Sequence, residues 1–444
     1  MGKLTGPLAF VLMISTTGGG CDSNPSSPPP DAAVLGPCED SRRPIVMAHG
    51  FLASGDTWAN HTMRFAANGY CLQQLHAFDY NTLDQSADHV AALDAFIDFV
   101  LADSGAEQVD LAGHSMGGLL SYDYLAEPTR AGKVAHYAHV GSIPQTGPPG
   151  DAQDVPTLNV WSVDDYIVED PTDIPGTTNV ELSGVDHYGV TTCEASFRAI
   201  YAFFNNGEQP AHSEIVPESG DTLLVAGKVV SLGENLPAAG WIVEIYDVDG
   251  ATGQRLSEQP QESFVAEDDG WWGYFPARPD TFYELYIVGP EPEDIPIHYY
   301  REPFVRSNPL VYLRTMPGEY SLAGLLLGGV PYSDDAAVLV NFTSSTGILY
   351  GQDSLTVNGV ELATEELAQP EDTTIAMFLY DDNENGMSDE APIPIFNSIA
   401  FLNGMDLFFQ AVTPDSITVD YNGRRLNVPN WPSASDGVII TVFD

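Results

Sequence analysis

Positive charge is what this sequence has least of: 15 Lys and Arg stand against 63 Asp and Glu, a formal net charge of −48. So acidic a chain repels phosphate backbones and anionic headgroups, which argues against nucleic acid or an anionic membrane surface as a partner. It suits solubility in a salty or extracellular setting. Cysteine is also scarce, four in 444 residues, and none has metal-ligand spacing. The apolar segment Pro7 to Ile14 is too short to cross a bilayer as a mature helix.

That segment follows Lys3 and leads to Thr17-Gly18-Gly19-Gly20-Cys21. A positive start, a short apolar stretch and small residues read as an export signal. Small residues just before Cys21 resemble a bacterial lipobox, which implies Cys21 as a lipidated N-terminus, although Gly18 stands where that pattern has leucine. The alternative is ordinary cleavage and full secretion. Either way the mature protein is expected outside the cytoplasm, secreted or lipid-anchored to the cell envelope. Residues 1–21 are then the signal and 22–40 a linker, since Asn24 to Pro30 is Pro/Ser-rich and builds no core. With Cys21 lipidated, Cys38, Cys71 and Cys193 leave one free thiol after a single pairing. Cys38 and Cys71 flank the first two core strands, and a bridge between them fits an oxidising compartment.

The length exceeds one ordinary core, so two or three domains are expected. From residue 41 to 207, strand and helix patterns alternate, the mark of a parallel sheet with helices on both faces. Ser86 is expected to cap a long helix whose face repeats Val90, Leu93, Phe96, Ile97, Val100 and Leu101. Thr191 to Phe204 reads as the closing helix. At the centre is Val109-Asp110-Leu111-Ala112-Gly113-His114-Ser115-Met116-Gly117-Gly118. A short apolar strand runs into Gly-x-Ser-x-Gly and a helix follows, the pattern of a nucleophile elbow. A Cβ at Gly113 or Gly117 would strike the neighbouring strand and helix. Ser115 is left exposed at a helix N-terminus, where developing negative charge is favoured.

The partners of Ser115 should follow in the order acid, then histidine. Asp164 and Asp165 both lie just past a strand end. Asp165 is favoured, because Ile167 and Val168 would pack beneath its loop. His187 lies in a Gly-flanked loop before the last helix, where a base can hang over the serine. His136 and His139 precede the acid, His114 is inside the elbow, and His49 belongs to the loop His49-Gly50-Phe51 after the first strand. Together these four motifs look like a bacterial triacylglycerol lipase of the small α/β-hydrolase type, over about Arg43 to Asn206. The resemblance implies a Ser115–His187–Asp165 triad with an acyl-enzyme. The backbone N–H groups of Phe51 and Met116 would form the oxyanion hole. No cofactor is required. Ser142 to Pro156 leaves no room for the helical cap of large lipases, so any shelter for an acyl chain must be shallow or come from elsewhere.

After a linker near Asn205 to Pro210 the helical period disappears and alternating strands take over, an antiparallel sandwich or barrel. One β-sandwich domain is expected at 214–318 and a second β domain at 319–444, with a strand pattern over Tyr320 to Leu327. The two-part layout looks like archaeal and bacterial lipases with a C-terminal β lipid-binding region. Asp381, Asn383 and Asn385, a turn glycine at Gly386, and Asp389 resemble the front of an EF-hand loop and could hold structural calcium. Position 12 of that pattern is Pro392, so Asp389 or Glu390 would have to substitute. An acidic turn without an ion is the alternative. Three functional readings follow: an extracytoplasmic ester hydrolase, most simply a lipase; a polyester depolymerase gripping polymer with its β domains; and a non-catalytic surface binding protein.

Overall fold

The computed structural model describes residues 35, 37–38, 40–150, 155–317, 324 and 329–444. Cys21 and nearly all of the strand expected over 320–327 lie outside them.

The N-terminal part is a parallel sheet of six strands. They are β1 (Ile45–Ala48), β2 (Leu75–Phe78), β3 (Val109–His114), β4 (Val134–Val140), β5 (Thr157–Ser162) and β6 (Thr178–Leu182), in spatial order β2-β1-β3-β4-β5-β6. Strands β1, β3 and β5 are buried throughout, as expected where helices cover both faces. Around the sheet pack α1 (Ala59–Ala67), α2 (His89–Ser104), α3 (Met116–Leu125) and α4 (Glu194–Phe204). Helix α2 buries Leu93, Phe96, Ile97 and Val100, and Gly105 ends it in the left-handed conformation, φ 70°. Each such side chain contributes about 1.5–3 kcal/mol of burial, an upper estimate against a compact unfolded chain.

Two helix ends differ from expectation. Asp88, not Ser86, caps α2, accepting from the Ala91 N–H at 3.0 Å. Ser86 is two residues too early and its hydroxyl donates instead to Asp84 at 2.6 Å. The closing helix is also broken. A one-turn helix, Gly189–Thr192, stops at Cys193, which is extended and whose Sγ caps α4. Paired threonines and a cysteine are poor helix formers, and Cys193 is more useful as a cap. Edge strand β6 has no clear alternation in Thr-Asn-Val-Glu-Leu and was not legible as a strand.

The remainder is β-rich. A three-stranded sheet joins Trp271–Ala277, Leu223–Ser231 and Leu313–Thr315. An eight-stranded sheet contains strands from both expected β domains. Strand Val438–Phe443 lies between Ile297–Arg301 and Leu339–Thr343 and runs parallel to both. One core mixes Val225, Ile245 and Leu285 with Val340, Phe378 and Val442. The segments on either side of the division expected between 318 and 319 thus share one sheet and one core. Composition changes little there, and no local pattern announces that a last strand inserts between two others.

The hydrolase part also shares a core with this region: Val230, Leu310 and Tyr312 pack with Ile45, Trp58 and Leu75. Lys228 Nζ pairs with Asp79 at 3.1 Å and the Tyr312 hydroxyl donates to the same carboxylate at 2.6 Å. Burial alone would raise the Asp79 carboxyl, but Lys228, His49, Tyr312 and the Gly55 N–H together hold it below its ordinary range. Cys38 and Cys71 form a disulfide with Cα atoms 5.8 Å apart, and Cys193 is free.

Candidate active site

The elbow is built as its glycines require. Ser115 has φ 52° and ψ −120°, a sparsely populated conformation costing about 1–3 kcal/mol. A Cβ on Gly113 would lie 2.4 Å from the Gly117 carbonyl oxygen, and one on Gly117 would lie 2.5 Å from that of Ala48 in β1. Both are impossible without moving backbone. Ser142 Oγ donates to the Ser115 carbonyl at 2.7 Å, bracing the turn. Met116 opens α3, so its N–H has no intrahelical acceptor. A Cβ on Gly50 would come within 2.9 Å of Ser115 Cβ, so the loop that carries Phe51 lies directly against the elbow.

Asp165 and His187 are both buried and joined, Oδ2 to Nδ1, at 2.8 Å. The other Asp165 oxygen accepts from the Ile167 and Val168 N–H groups at 3.0 and 3.1 Å. Asp164 is turned elsewhere and accepts from the Gly184 N–H at 2.5 Å. His114, next to the serine, donates from Nε2 to the His187 carbonyl at 3.0 Å, and the two rings lie 4.8 Å apart. Burial, helped by His187, pushes the His114 imidazole well below its ordinary pKa. It is a neutral brace. His136 is bound to Asp110, and His139 to Tyr137 and the Ile143 carbonyl. Both are structural.

Sequence patterns did not disclose how far the β region reaches into this site. Arg314 Nη2 donates to Ser54 Oγ at 2.7 Å and to both oxygens of Asp56 at 2.7 and 2.8 Å. Those residues end the Gly50–Phe51 loop. Asn235 reaches His49 Nε2 and Asp79 Oδ1, each at 3.3 Å. On the histidine side, Asp186 Oδ1 accepts from the Tyr188 and Gly189 N–H groups. Its Oδ2 accepts from Thr346 Oγ1 at 2.6 Å and the Gly347 N–H at 3.0 Å. Phe401, with φ 71°, lays its ring 6.1 Å from that of His187. The contacts made by Arg314, Asn235, Thr346, Gly347 and Phe401 span more than a hundred residues of sequence, so no local motif carries them.

Between the two parts runs a cavity that opens to solvent. Gly50, Phe51, His114 and His187 form one end. Leu232, Phe342, Ile375, Ile399, Phe401, Leu402 and Val442 supply apolar walls from the β region. Asp381, Asn383, Asn385 and Asp389 are not part of this cavity. Among the described residues, no three His, Cys, Asp or Glu side chains alone form a metal-holding group.

Comparison with known proteins matches the same segments. Residues 43–170 fit the family model of the alpha/beta hydrolase fold, 221–317 that of the lipase C-terminal domain, and 344–444 a further C-terminal domain model. Similar solved structures include the Bacillus licheniformis lipase BlEst2, at 15% identity over 38% of this chain and 96% of that one, TM-score 0.32. Aspergillus fumigatus lipase B is 14% identical over 41% and 56%, TM-score 0.32. The carboxylesterase CesB from Bacillus subtilis is 13% identical over 38% and 85%, TM-score 0.29. The elbow and the family matches support a serine ester hydrolase of the α/β-hydrolase fold, followed by a segment that resembles a lipase C-terminal domain.

One prediction concerns the Arg314 clamp. Arg314→Met should lower kcat on the order of 10²-fold, as expected when a loop bearing an oxyanion donor shifts by about 1 Å. KM should change less, within about fivefold, because Arg314 is one lining residue while the apolar walls remain. Steady-state kinetics checks this. A drop in Tm with kcat unchanged would show that the clamp only stabilises the fold.

Proposed function

We propose that this protein is an extracytoplasmic lipase that hydrolyses acyl esters through an acyl-enzyme. Ser115 attacks the ester carbonyl. His187 takes the serine proton, then delivers it to the leaving alcohol. Asp165 holds the Nδ1–H tautomer of His187 and stabilises the imidazolium. The N–H groups of Phe51 and Met116 receive the developing oxyanion, and each such donor is worth about 3–4 kcal/mol of barrier. Water then repeats the sequence on the acyl-enzyme.

The observation that carries the lipase reading is the apolar cavity, which begins at His187 and Phe51 and continues between β-region side chains. A small polar acid needs no such lining, whereas an acyl chain does. The disulfide between Cys38 and Cys71 supports a location outside the reducing cytoplasm. Lipid attachment at Cys21 belongs to the same proposal; mass spectrometry of the mature N-terminus tests it. No helix among the described residues is long and apolar enough to cross a membrane.

The test is an acyl-chain series of p-nitrophenyl esters on wild type and Ile375→Trp. An indole at that wall should obstruct the distal cavity. Long-chain kcat/KM should fall by about tenfold, roughly the effect of a few lost methylene contacts, with short-chain turnover retained. An equal loss at every chain length would mean that the acyl chain lies elsewhere. Removing the whole β region is a poorer test, because it also removes Arg314 and Thr346, which hold the catalytic loops.

A further inference from the structure

The turn after strand Leu223–Ser231 brings a buried amide against the hydrolase part. Leu232 and Gly233 of this turn line the cavity. Asn235 is only 7% exposed and has φ 57°. Its backbone N–H closes the turn on the Ser231 carbonyl at 2.9 Å. Asparagine tolerates this left-handed backbone, but so would glycine, and the turn alone needs no amide. The side-chain oxygen of Asn235 has no hydrogen-bond partner. A buried acceptor left unmet is costly, and the fold accepts that cost where the NH₂ group is used.

That group has two partners, Asp79 Oδ1 and His49 Nε2, each at 3.3 Å. Asp79 is ion-paired with Lys228. A carboxylate only accepts, so the amide cannot be turned round. His49 Nε2 therefore faces an N–H. A second, from the Tyr80 backbone, comes to the same nitrogen at 3.3 Å. Two donors make Nε2 the acceptor and put the ring proton on Nδ1. Nδ1 in turn lies 2.9 Å from the Gly50 carbonyl oxygen, which only accepts. Both sides of the ring thus require the same tautomer. Burial lowers the His49 pKa against the pull of Asp79, so the ring is neutral. The Gly50 carbonyl and the Phe51 N–H belong to one planar peptide and point opposite ways. Fixing that carbonyl oxygen fixes the direction of the N–H.

We propose that Asn235 is a positioning residue for the oxyanion hole: by donating to His49 Nε2 it holds the Nδ1–H tautomer, which holds the Gly50–Phe51 peptide with its N–H toward the reacting carbonyl. The inference rests on the reading of the Phe51 N–H as an oxyanion donor. Asn235 itself does not line the cavity and acts only through His49. With the proton on Nε2 instead, the Nδ1 lone pair would face the Gly50 oxygen and drive the peptide to rotate. Arg314 holds the same loop farther along, through Ser54 and Asp56. Asn235 sets how one peptide within that loop is turned. The β region therefore acts on the step that develops charge.

The test uses the full chain. Asn235→Gly keeps the left-handed backbone and removes the amide. It should lower p-nitrophenyl ester kcat by about 10–100-fold, short of the loss of about 10²–10³-fold that follows removal of an oxyanion donor. KM should stay within about threefold. A trifluoromethyl ketone adds the serine hydroxyl to give a tetrahedral oxyanion, so its affinity should fall by the same factor as kcat/KM. A merely structural role would not make the two losses track. Ring-nitrogen NMR of histidine-labelled protein, with His49 assigned through His49→Gln, should show a neutral Nδ1–H ring in wild type and mixed tautomers in Asn235→Gly. Should that variant not fold, Asn235→Asp is judged by the same spectra, because a carboxylate against Nε2 must draw a proton there. An unaltered ring in that variant overturns the inference. So does an Nε2–H ring in wild type, an Asn235→Gly kcat within about twofold of wild type, or lost turnover with ketone affinity intact. A wild type that does not bind the ketone at all overturns the hydrolase reading, and this inference with it.

Discussion

Ser115→Ala is expected to lower p-nitrophenyl ester turnover by a factor on the order of 10⁶ while leaving the fold intact. The size follows from what remains. Without the hydroxyl there is no acyl-enzyme, and only the oxyanion donors and the cavity still favour the transition state. The fold should be indifferent because Ser115 is half-buried and its side chain makes no capping bond to α3. An exposed-type substitution of this kind shifts stability by about 0.5 kcal/mol or less. Circular dichroism and Tm establish the intact fold. A fluorophosphonate should label wild type and not the variant. Turnover within about tenfold of wild type would assign the chemistry to another residue.

Asp165→Asn is expected to reduce kcat by about 10⁴-fold. Asparagine can keep the two hydrogen bonds from the Ile167 and Val168 N–H groups, because its carbonyl oxygen replaces Oδ1. Its NH₂ then faces His187 Nδ1, where a carboxylate oxygen accepted before. The imidazole must answer with a lone pair at Nδ1, which places the ring proton on Nε2. A ring protonated there cannot take the serine proton. The neighbouring substitution Asp164→Asn should cost less than about tenfold, since Asp164 holds the Gly184 N–H and does not touch the imidazole. Measuring kcat for both variants decides between the two acids. A larger loss at Asp164 would reverse their roles.

Which parts of this architecture were legible depends on how locally each was determined. The elbow was readable because its steric demands fall on two glycines within five residues, and both are met by backbone atoms at 2.4–2.5 Å. Val168 is buried beneath the Asp165 loop as the pattern implied, and the N–H groups of Ile167 and Val168 add hydrogen bonds to Asp165 that the pattern did not disclose. The sequence pattern led to the expectation that the hydrolase part carries little cover of its own. It did not show the apolar wall, because Phe342, Ile375, Phe401 and Val442 converge through strand pairing far along the chain. Arg314 was invisible for the same reason.

Strand Val438–Phe443 gives the protein an order of events in time. It pairs with Ile297–Arg301 and Leu339–Thr343, and Val442 lines the cavity. A chain emerging from its N-terminus delivers Ser115, Asp165 and His187 more than two hundred residues before this strand. Closing so long a loop must precede any reward from pairing, which makes the sheet a late event in folding. Until the β region docks, the loops that Arg314 and Thr346 hold lack their partners as well, so the candidate site and the wall of its cavity are completed together.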